Sequence, residues 1–464
     1  MKLTKYFFAA FALLATASIG FTSCEDQPDK YEVTAGVPTV KYIRLLSSEI
    51  KGNNDAEDMH YTTGELVESA GPGNTICLVG DNLTSVVEVF FNDLPAVLNN
   101  SYITANTMII DVPKEIPGEV SNLITLRTKD GSEVTVPFSV IIPKPTITRM
   151  NCEYAAKGSQ ETITGRYFID DPGTPLTVTF TAAGGGEVKA EILNVSPDFT
   201  KMDIIVPETA VEGPITVTSV YGKTVSGFHY LDTRGMIFEF DGLTHLENAG
   251  WHAREIKSDE WSITGNYMQL GKDNGGTSVD PDCGWNDGDL SFEYWPGNWK
   301  DSAEDYADEG HVRINDIVDF TDWSNMSLKF EMCIPAEYPW KAGAMQIVFA
   351  GTDKVTLGSA GTDLFGNPTG GCNNVYFNGD ELPRALYRPW SQNGGSFDTG
   401  GKWITVTLPF ASEFVYGASG AKASSNLAKE SFASLLMFVW SGGITGEACT
   451  PVIKIDNIRA VPNK

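Results

Sequence analysis

Tryptophan is missing from the first 250 residues of this 464-residue chain, and all ten copies lie between Trp251 and Trp440. Basic charge is scarce as well: 33 Lys and Arg face 60 Asp and Glu, a formal net charge of −27. Such a surface repels nucleic acid and anionic lipid, and it disfavours sulfated or uronic-acid-rich polymers wherever no local basic patch intervenes. Beyond the N-terminus no apolar run approaches the roughly 20 residues of a spanning helix. The seven cysteines are scattered and the five histidines (His60, His229, His245, His252, His311) show no ligand spacing, so neither a metal site nor a C-x-x-C redox pair is expected. Buried free thiols are the expectation for Cys77, Cys152, Cys283, Cys333, Cys372 and Cys449. G-x-S-x-G and any other Ser/His/Asp signature are also lacking.

The chain opens on an address. Lys2 and Lys5 precede an apolar segment, residues 7–19, that is too short to span a bilayer, and Ser23-Cys24 stands at the cleavage position. Residues 1–23 therefore read as a signal peptide. Ser23-Cys24 resembles the bacterial lipobox, although Phe21 replaces the usual Leu. The resemblance implies a lipidated Cys24 and a tether over residues 24–36. Glu25-Asp26-Gln27 is similar to the acidic signal that sends Bacteroidetes lipoproteins outward, which implies an outer-membrane protein facing the cell exterior and held by lipid alone.

From Val37 onward short runs of β-branched residues are separated by Gly, Asn, Asp and Pro, which predicts an all-β protein. The first part repeats at a period near 90–100 residues. One copy holds ICLVGDNL, VEVFFNDLPA, MIIDVPKEIPG and DGSEVTVPFSV; the other holds ETITGRYF, LTVTFTAAGGG, MDIIVPETAVEG and YGKTVSGFHYL. This order resembles the immunoglobulin-like IPT/TIG domain and implies two such sandwiches in tandem, residues 37–142 and 143–231, acting as spacers. Pro143 and Pro145 stiffen the junction between them.

A larger domain, residues 232–464, is framed by F-E-F-D-G at its first strand (Phe238 to Gly242) and I-D-N-I-R at its last (Ile455 to Arg459). That frame is similar to jelly-roll β-sandwiches of carbohydrate-binding modules. Within it Pro389-Trp390, the stretch from Phe397 to Val406, and Trp261 with Tyr294-Trp295 some thirty residues later look like the C-terminal domain of Bacteroidetes surface glycan-binding proteins. Those proteins share the order of lipidated Cys, IPT/TIG domains and Trp-rich sandwich. The resemblance implies a non-catalytic binder of a neutral β-glucan, of xyloglucan, mixed-linkage or β-1,3 type. It also implies an outer-membrane importer, companion binding proteins and hydrolases as partners.

Physical chemistry supports an aromatic platform. A pyranose face stacked on an indole removes on the order of 100 Å² of apolar surface, or about 2.5 kcal/mol per ring. Three rings outweigh an association cost of at least about 4 kcal/mol only modestly, which suits a repetitive polymer. Residues 280–299 concentrate Trp285, Tyr294, Trp295 and Trp299. Strand alternation puts Leu290, Phe292 and Tyr294 on a core face, opposite Ser291, Glu293 and Trp295. Trp295 is thus the platform residue by pattern, while Tyr294 enters because the family pairs it with Trp295. Asn298 lies in the turn that lifts Trp299 to the rim, Glu293 and Asn298 are candidate hydroxyl partners, and Trp340 after Pro339 is a candidate cover for a side branch. Trp251, Trp323, Trp390 and Trp440 are read as structural, and the direction of Trp403 is open.

Acidic residues raise rival readings. Asp280, Asp282, Asp287 and Asp289 lack the spacing of an EF-hand, because Gly284 takes the third oxygen position and Ser291 the twelfth. No cofactor is expected; a structural calcium through Glu239 or Asp456, as in some jelly rolls, is the one metal role left open. The E-x-D-x-x-E run of jelly-roll β-glucanases ends here in Thr244 (Glu239-x-Asp241-x-x-Thr244), so the pair of carboxyls needed for hydrolysis is incomplete. A mannan binder and an IPT/TIG adhesin compete with the β-glucan reading.

Overall fold

The computed structural model describes residues 32–47, 64–244, 246, 255–284, 289–294, 312–351 and 379–463. It divides into two compact units, Met1–Pro143 and Lys144–Lys464.

In the first unit the strands are β1 (Thr39–Ser47), β2 (Ser69–Ala70), β3 (Thr75–Asp81), β4 (Val86–Phe91), β5 (Leu94–Pro95), β6 (Thr107–Asp111), β7 (Leu123–Thr128), β8 (Glu133–Pro137) and β9 (Ser139–Val140). Sheets β1-β3-β6 and β5-β4-β7-β8 face each other, with a parallel β2-β9 pair beside them. The alternation does what it predicts: along β7 every second residue, Ile124, Leu126 and Thr128, is buried. Leu45, Ile76, Leu78, Val89, Phe91, Met108 and Phe138 join Ile124 and Leu126 in the core.

The second unit starts with the other copy of the repeat: β10 (Thr146–Met150), β11 (Gln160–Arg166), β12 (Thr177–Ala182), β13 (Gly186–Lys189), β14 (Glu191–Val195), β15 (Lys201–Ile205), β16 (Gly213–Ser219) and β17 (Gly222–Tyr230). Its sheets, β10-β11-β15-β14 and β13-β12-β16-β17, repeat the layout of the first sandwich. The shared Gly-x-Asn/Tyr motif has a physical cause. A Cβ on Gly80 would lie 1.7 Å from the Thr39 carbonyl oxygen, and one on Gly165 would lie 1.9 Å from that of Thr146. Two residues on, Asn82 and Tyr167 both adopt a left-handed φ of 57°. Each copy therefore needs a bare backbone where its first strand crosses, followed by a residue that turns the chain away.

The remaining strands are β18 (Met236–Phe238), β19 (Glu255–Lys257), β20 (Tyr267–Leu270), β21 (Ser291–Tyr294), β22 (Met326–Cys333), β23 (Ala344–Ala350), β24 (Arg384–Tyr387), β25 (Ile404–Pro409), β26 (Ser434–Trp440) and β27 (Ile453–Pro462). They form a six-stranded sheet, β19-β20-β27-β22-β25 with β18 also on β27, and a four-stranded sheet, β21-β26-β23-β24. Between them lies the largest core, including Phe238, Phe292, Leu328, Phe330, Ile347, Phe349, Phe410 and Phe432. Helix is limited to single turns among the described residues, such as Ile314–Ile317 and Phe410–Glu413. The fold is all-β, as expected.

The I-D-N-I-R motif proves to be a bulge. Ile453 and Ile455 point into the core, and so do Ile458 and Ala460, so the inward parity shifts by one residue between them. Asn457 absorbs the extra residue with φ 51°, where the β22–β27 register also slips. The shift aims Arg459 outward, toward the second immunoglobulin-like sandwich. There Arg459 Nη1 and Nη2 donate to Glu331 Oε2 and Glu153 Oε2, each at 2.7 Å, and Lys329 Nζ meets Glu153 Oε1 at 2.5 Å. Backbone bonds run alongside: Thr405 N donates to Asn151 O at 2.8 Å, and Glu153 N donates to Thr405 Oγ1 at 2.7 Å. Two positive and two negative buried groups thus weld the second and third sandwiches together, which explains why they fall in one compact unit.

Candidate functional site

The four-stranded sheet presents two faces, and its register assigns every residue to one of them. Phe292, Met437, Ile347 and Ala385 stand in one cross-strand row on the core side. The next row, Glu293, Leu436, Val348 and Arg384, therefore lies on the outer side, together with the row Ser291, Phe438, Gln346 and Leu386. This places Glu293 on the face opposite Phe292 and Tyr294, as alternation predicted.

That outer face is nonetheless covered. Glu293 is only 1% exposed, so the expectation that it offers a carboxylate to a ligand is not met in this conformation. Gln346 Nε2 donates to Ala418 O at 3.3 Å, Arg384 Nη1 to Gln346 Oε1 at 2.8 Å and Arg384 Nη2 to Gly379 O at 3.2 Å. Burial pushes the Arg384 guanidinium down to about 10, against the pull of Asp380 and Glu381. These polar side chains carry a floor beneath the surface loops.

Two aromatic expectations need correction. Tyr294 is 3% exposed, its ring packs edge-on to Phe238 with centroids 5.3 Å apart, and its hydroxyl donates to Val312 O. It is a core residue, which follows from its sharing a face with Phe292. Trp340 is fully buried; its Nε1 donates to Ala342 O at 2.7 Å, and its backbone pairs with Phe397 at 2.8 and 2.9 Å. The loop that carries it folds onto the core between the sheets, so Trp340 cannot cover a ligand branch. Trp390 is buried as expected, with Nε1 donating to Gly343 O at 2.7 Å.

Trp261 stays accessible, and its surroundings are specific. It lies in the loop between β19 and β20, on the outer side of the six-stranded sheet. Lys454 Nζ stands 4.9 Å from its ring centroid and equally 4.9 Å from that of Tyr267. The ammonium also donates to the Tyr267 hydroxyl at 3.1 Å and to Gln269 Oε1 at 2.9 Å. Burial holds the Lys454 amine below its usual range. Asp259 accepts from Trp261 N at 2.9 Å and from the Tyr267 hydroxyl at 3.0 Å. Trp403 Nε1 donates to Trp261 O at 2.8 Å, and the Trp403 ring packs against the core of the second sandwich. A cation therefore fixes one face of a partly exposed indole in a preset orientation.

Trp261 and Glu293 consequently occupy opposite outer faces of the C-terminal sandwich, and the structure does not bring them together. Trp285, Trp295, Asn298, Trp299 and Cys24 lie outside the described residues. Sequence reasoning missed Lys454, Tyr267, Gln346 and Arg384. The readable signal was a polar residue set in an otherwise apolar strand, as with Gln346 in AMQIVFA and Lys454 in VIKI.

The acidic residues of the rival readings are engaged locally. Glu239 Oε1 accepts from Leu243 N and Oε2 from Thr244 Oγ1, while Asp241 Oδ1 accepts from Asn266 N at 2.9 Å. Asp456 accepts from Asn457 N at 2.7 Å and Thr264 Oγ1 at 3.2 Å, and burial pushes its carboxyl up to about 8. Among the described residues one metal-like cluster occurs, Glu212, His229 and Asp232, with ligand atoms within 4.8 Å of one another. Arg234 already forks onto Asp232, both bonds 2.8 Å, so a guanidinium takes the place a cation would need.

A family model described as the surface glycan-binding protein B xyloglucan binding domain matches residues 230–462, which are the C-terminal sandwich. The crystal structure of the surface glycan-binding protein PbSGBP-B from Prevotella bryantii is similar, at 39% identity and a TM-score of 0.73, over 93% of this chain and 100% of that one. An IPT/TIG domain-containing protein of Bacteroides ovatus is 25% identical over 219 residues, 45% of this chain. The matched part covers 41% of that curated relative's length.

Proposed function

The chain belongs to the surface glycan-binding protein B family, and from that premise we propose that its C-terminal sandwich binds a neutral β-glucan of the xyloglucan class without cleaving it. The observation that carries this reading is the match of the xyloglucan-binding family model to residues 230–462, the part that holds all ten tryptophans. A partly exposed Trp261, with Lys454 over its ring and Asp259 on its backbone N–H, supports it, because an indole fixed in advance loses little freedom when a sugar face stacks on it. Absence of cleavage is supported by the carboxylates: Glu239 and Asp241 cap backbone N–H groups instead of facing each other across a cleft. Lipidation at Cys24, attachment to the outer membrane and hand-over to an importer and companion hydrolases complete the proposal, resting on the N-terminal motif and on family membership.

Affinity electrophoresis in native gels tests it. Xyloglucan, mixed-linkage β-glucan, β-1,3-glucan and galactomannan are cast in turn, with Trp261→Ala and Trp295→Ala beside the wild type. Retardation by a β-glucan is expected, weakened by at least one of the two substitutions. Wild-type migration unchanged on every glycan sinks the proposal, retardation by galactomannan alone points to the mannan reading, and release of reducing ends establishes hydrolysis. Retardation that persists in both variants refutes the assignment of these two rings and leaves binding intact.

A further inference from the structure

A cleft of about 410 Å³ opens where the second immunoglobulin-like sandwich meets the C-terminal sandwich, and both of its walls belong to the compact unit Lys144–Lys464. Its volume lies in the range of small-ligand sites. One wall is the run Ile147 to Met150 of β10, with Gly227 and Phe228 of β17. The other is Ser327, Lys329, Thr405 and Thr407, with Asn463 at the mouth.

The charges of this cleft do not sum to zero. Lys329 and Glu153 both line it, but each is committed: Glu153 Oε1 holds Lys329 and Glu153 Oε2 holds Arg459, whose other amino group holds Glu331. Those four groups cancel. Arg149, an exposed residue on the rim, has no ion pair or side-chain hydrogen bond among the described residues, so the cleft keeps one net positive charge in a protein of formal charge −27. A guanidinium left unpaired amid such an excess of carboxylates is a prepared fork for an incoming one.

The rest of the lining favours a sugar over a bare anion. The Thr148 and Thr407 hydroxyls make no hydrogen bond among the described residues, and Asn463 spends its Oδ1 on Ser327 Oγ while its amide hydrogens stay open. Phe228 supplies an apolar wall, with Lys329 Nζ 5.5 Å from its ring centroid. A guanidinium fork, two hydroxyls, an amide donor and a ring edge match a pyranose that carries a carboxylate.

We propose that this cleft binds a single uronic-acid unit, as a free sugar or the end of an acidic side chain, with its carboxylate on Arg149 and its hydroxyls on Thr148, Thr407 and Asn463. Its lining shares no residue with the Trp261 surface proposed for the neutral polymer, and it is where the repulsion of acidic glycans by the overall charge is locally reversed.

Saturation-transfer NMR and titration calorimetry on the full mature chain test this, with methyl β-D-glucuronide, methyl β-D-glucoside, acetate and sulfate as ligands. The glucuronide is expected to bind and weaken with added salt, and Arg149→Gln to lower its affinity at least ten-fold, with Thr407→Val giving a smaller loss. Both positions are exposed, so folding is checked by an unchanged thermal midpoint. Retardation by neutral β-glucan stays unaltered in Arg149→Gln if the two sites are separate, and its loss overturns the separation. The proposal is overturned if the glucoside binds as well as the glucuronide, if acetate or sulfate binds as well, if the glucuronide does not bind, or if Arg149→Gln leaves its affinity unchanged.

Discussion

Arg459→Met strikes the joint between the second and third sandwiches at its centre, and its consequences can be worked out group by group. Arg459 and Glu331 are fully buried, and Glu153 nearly so. Without the guanidinium, Glu153 keeps Lys329, whereas among the described residues Glu331 retains only the Thr405 hydroxyl, which donates to Oε1 at 2.9 Å. Removing one partner of a buried pair typically costs about 3–5 kcal/mol, because the remaining charge is stranded away from water. The penalty should depend on pH. Burial already holds the Glu331 carboxyl above its usual range, against the pull of Arg459. Loss of Arg459 raises it further in the folded state and leaves the unfolded value alone. Stability that protonation preserves at low pH is then lost as pH climbs above the ordinary carboxylate range toward the new folded value. Urea unfolding followed by tryptophan fluorescence at pH 5.5 and pH 8 should therefore show a larger deficit at pH 8. Arg459→Met combined with Glu331→Leu should recover most of it, since an apolar replacement of a buried ion pair is often neutral. A deficit below about 1 kcal/mol at pH 8, or one equal at both pH values, would refute the assignment of a charge-locked joint.

Trp340→Ala should cost about 3–5 kcal/mol in the same denaturation assay, as removal of a large buried ring does, while Tyr294→Phe costs about 1 kcal/mol through the lost bond to Val312 O; neither should change β-glucan retardation in folded protein. Asp456, pushed up to about 8 by burial, should make the protein lose stability as pH rises from about 4 through 8, at up to about 1.4 kcal/mol per pH unit, and Asp456→Asn should flatten the thermal midpoint over that window. Burial pushes the Cys283 thiol up to about 12 and the Cys333 thiol up to about 11, so iodoacetamide at pH 8 should leave both unmodified in the native protein and label them after denaturation, as read by mass spectrometry.

The architecture was legible because it is written in local patterns. Alternation in strands such as β7, the Gly-x-Asn/Tyr motif of both repeats and the I-D-N-I-R ending each encode one backbone requirement, and each requirement appears at the place the pattern indicates. Glu293 shows where that legibility stops. Alternation gave its face correctly, yet whether a face meets solvent depends on loops that cross it from other parts of the chain, and no period reports that. Trp340 failed for a related reason: a Pro-Trp step between strands signals a loop, but Ala342, accepting its indole N–H, draws that loop into the core. Nor could the joint be read, because Glu153 lies 306 residues from Arg459 and each looks like a surface charge, one in the turn after β10 and the other in β27.

Trp261 is the instructive case for the site itself. The family resemblance grouped it with the Tyr294-Trp295 pair, as parts of one platform. The structure instead puts its loop on the six-stranded sheet and Tyr294 on the four-stranded one, with the core between the sheets and Tyr294 facing inward. In the proposed role Trp261 would therefore act with neighbours of its own sheet and not with Tyr294. Those neighbours are Lys454, whose ammonium stands over the indole, Trp403, whose Nε1 holds the Trp261 backbone carbonyl, and Tyr267, which packs edge-on to Trp403. Its contribution to affinity should thus resemble that of a single preset ring, about 2.5 kcal/mol at most for on the order of 100 Å² of covered surface. Lys454→Met should test the presetting: it keeps the apolar stem beneath the ring and removes the ammonium, so the Trp261-dependent part of β-glucan affinity should fall while the rest persists. Identical retardation of Lys454→Met and wild type would mean that the cation stabilises the fold alone and that the ring needs no such support to meet a sugar.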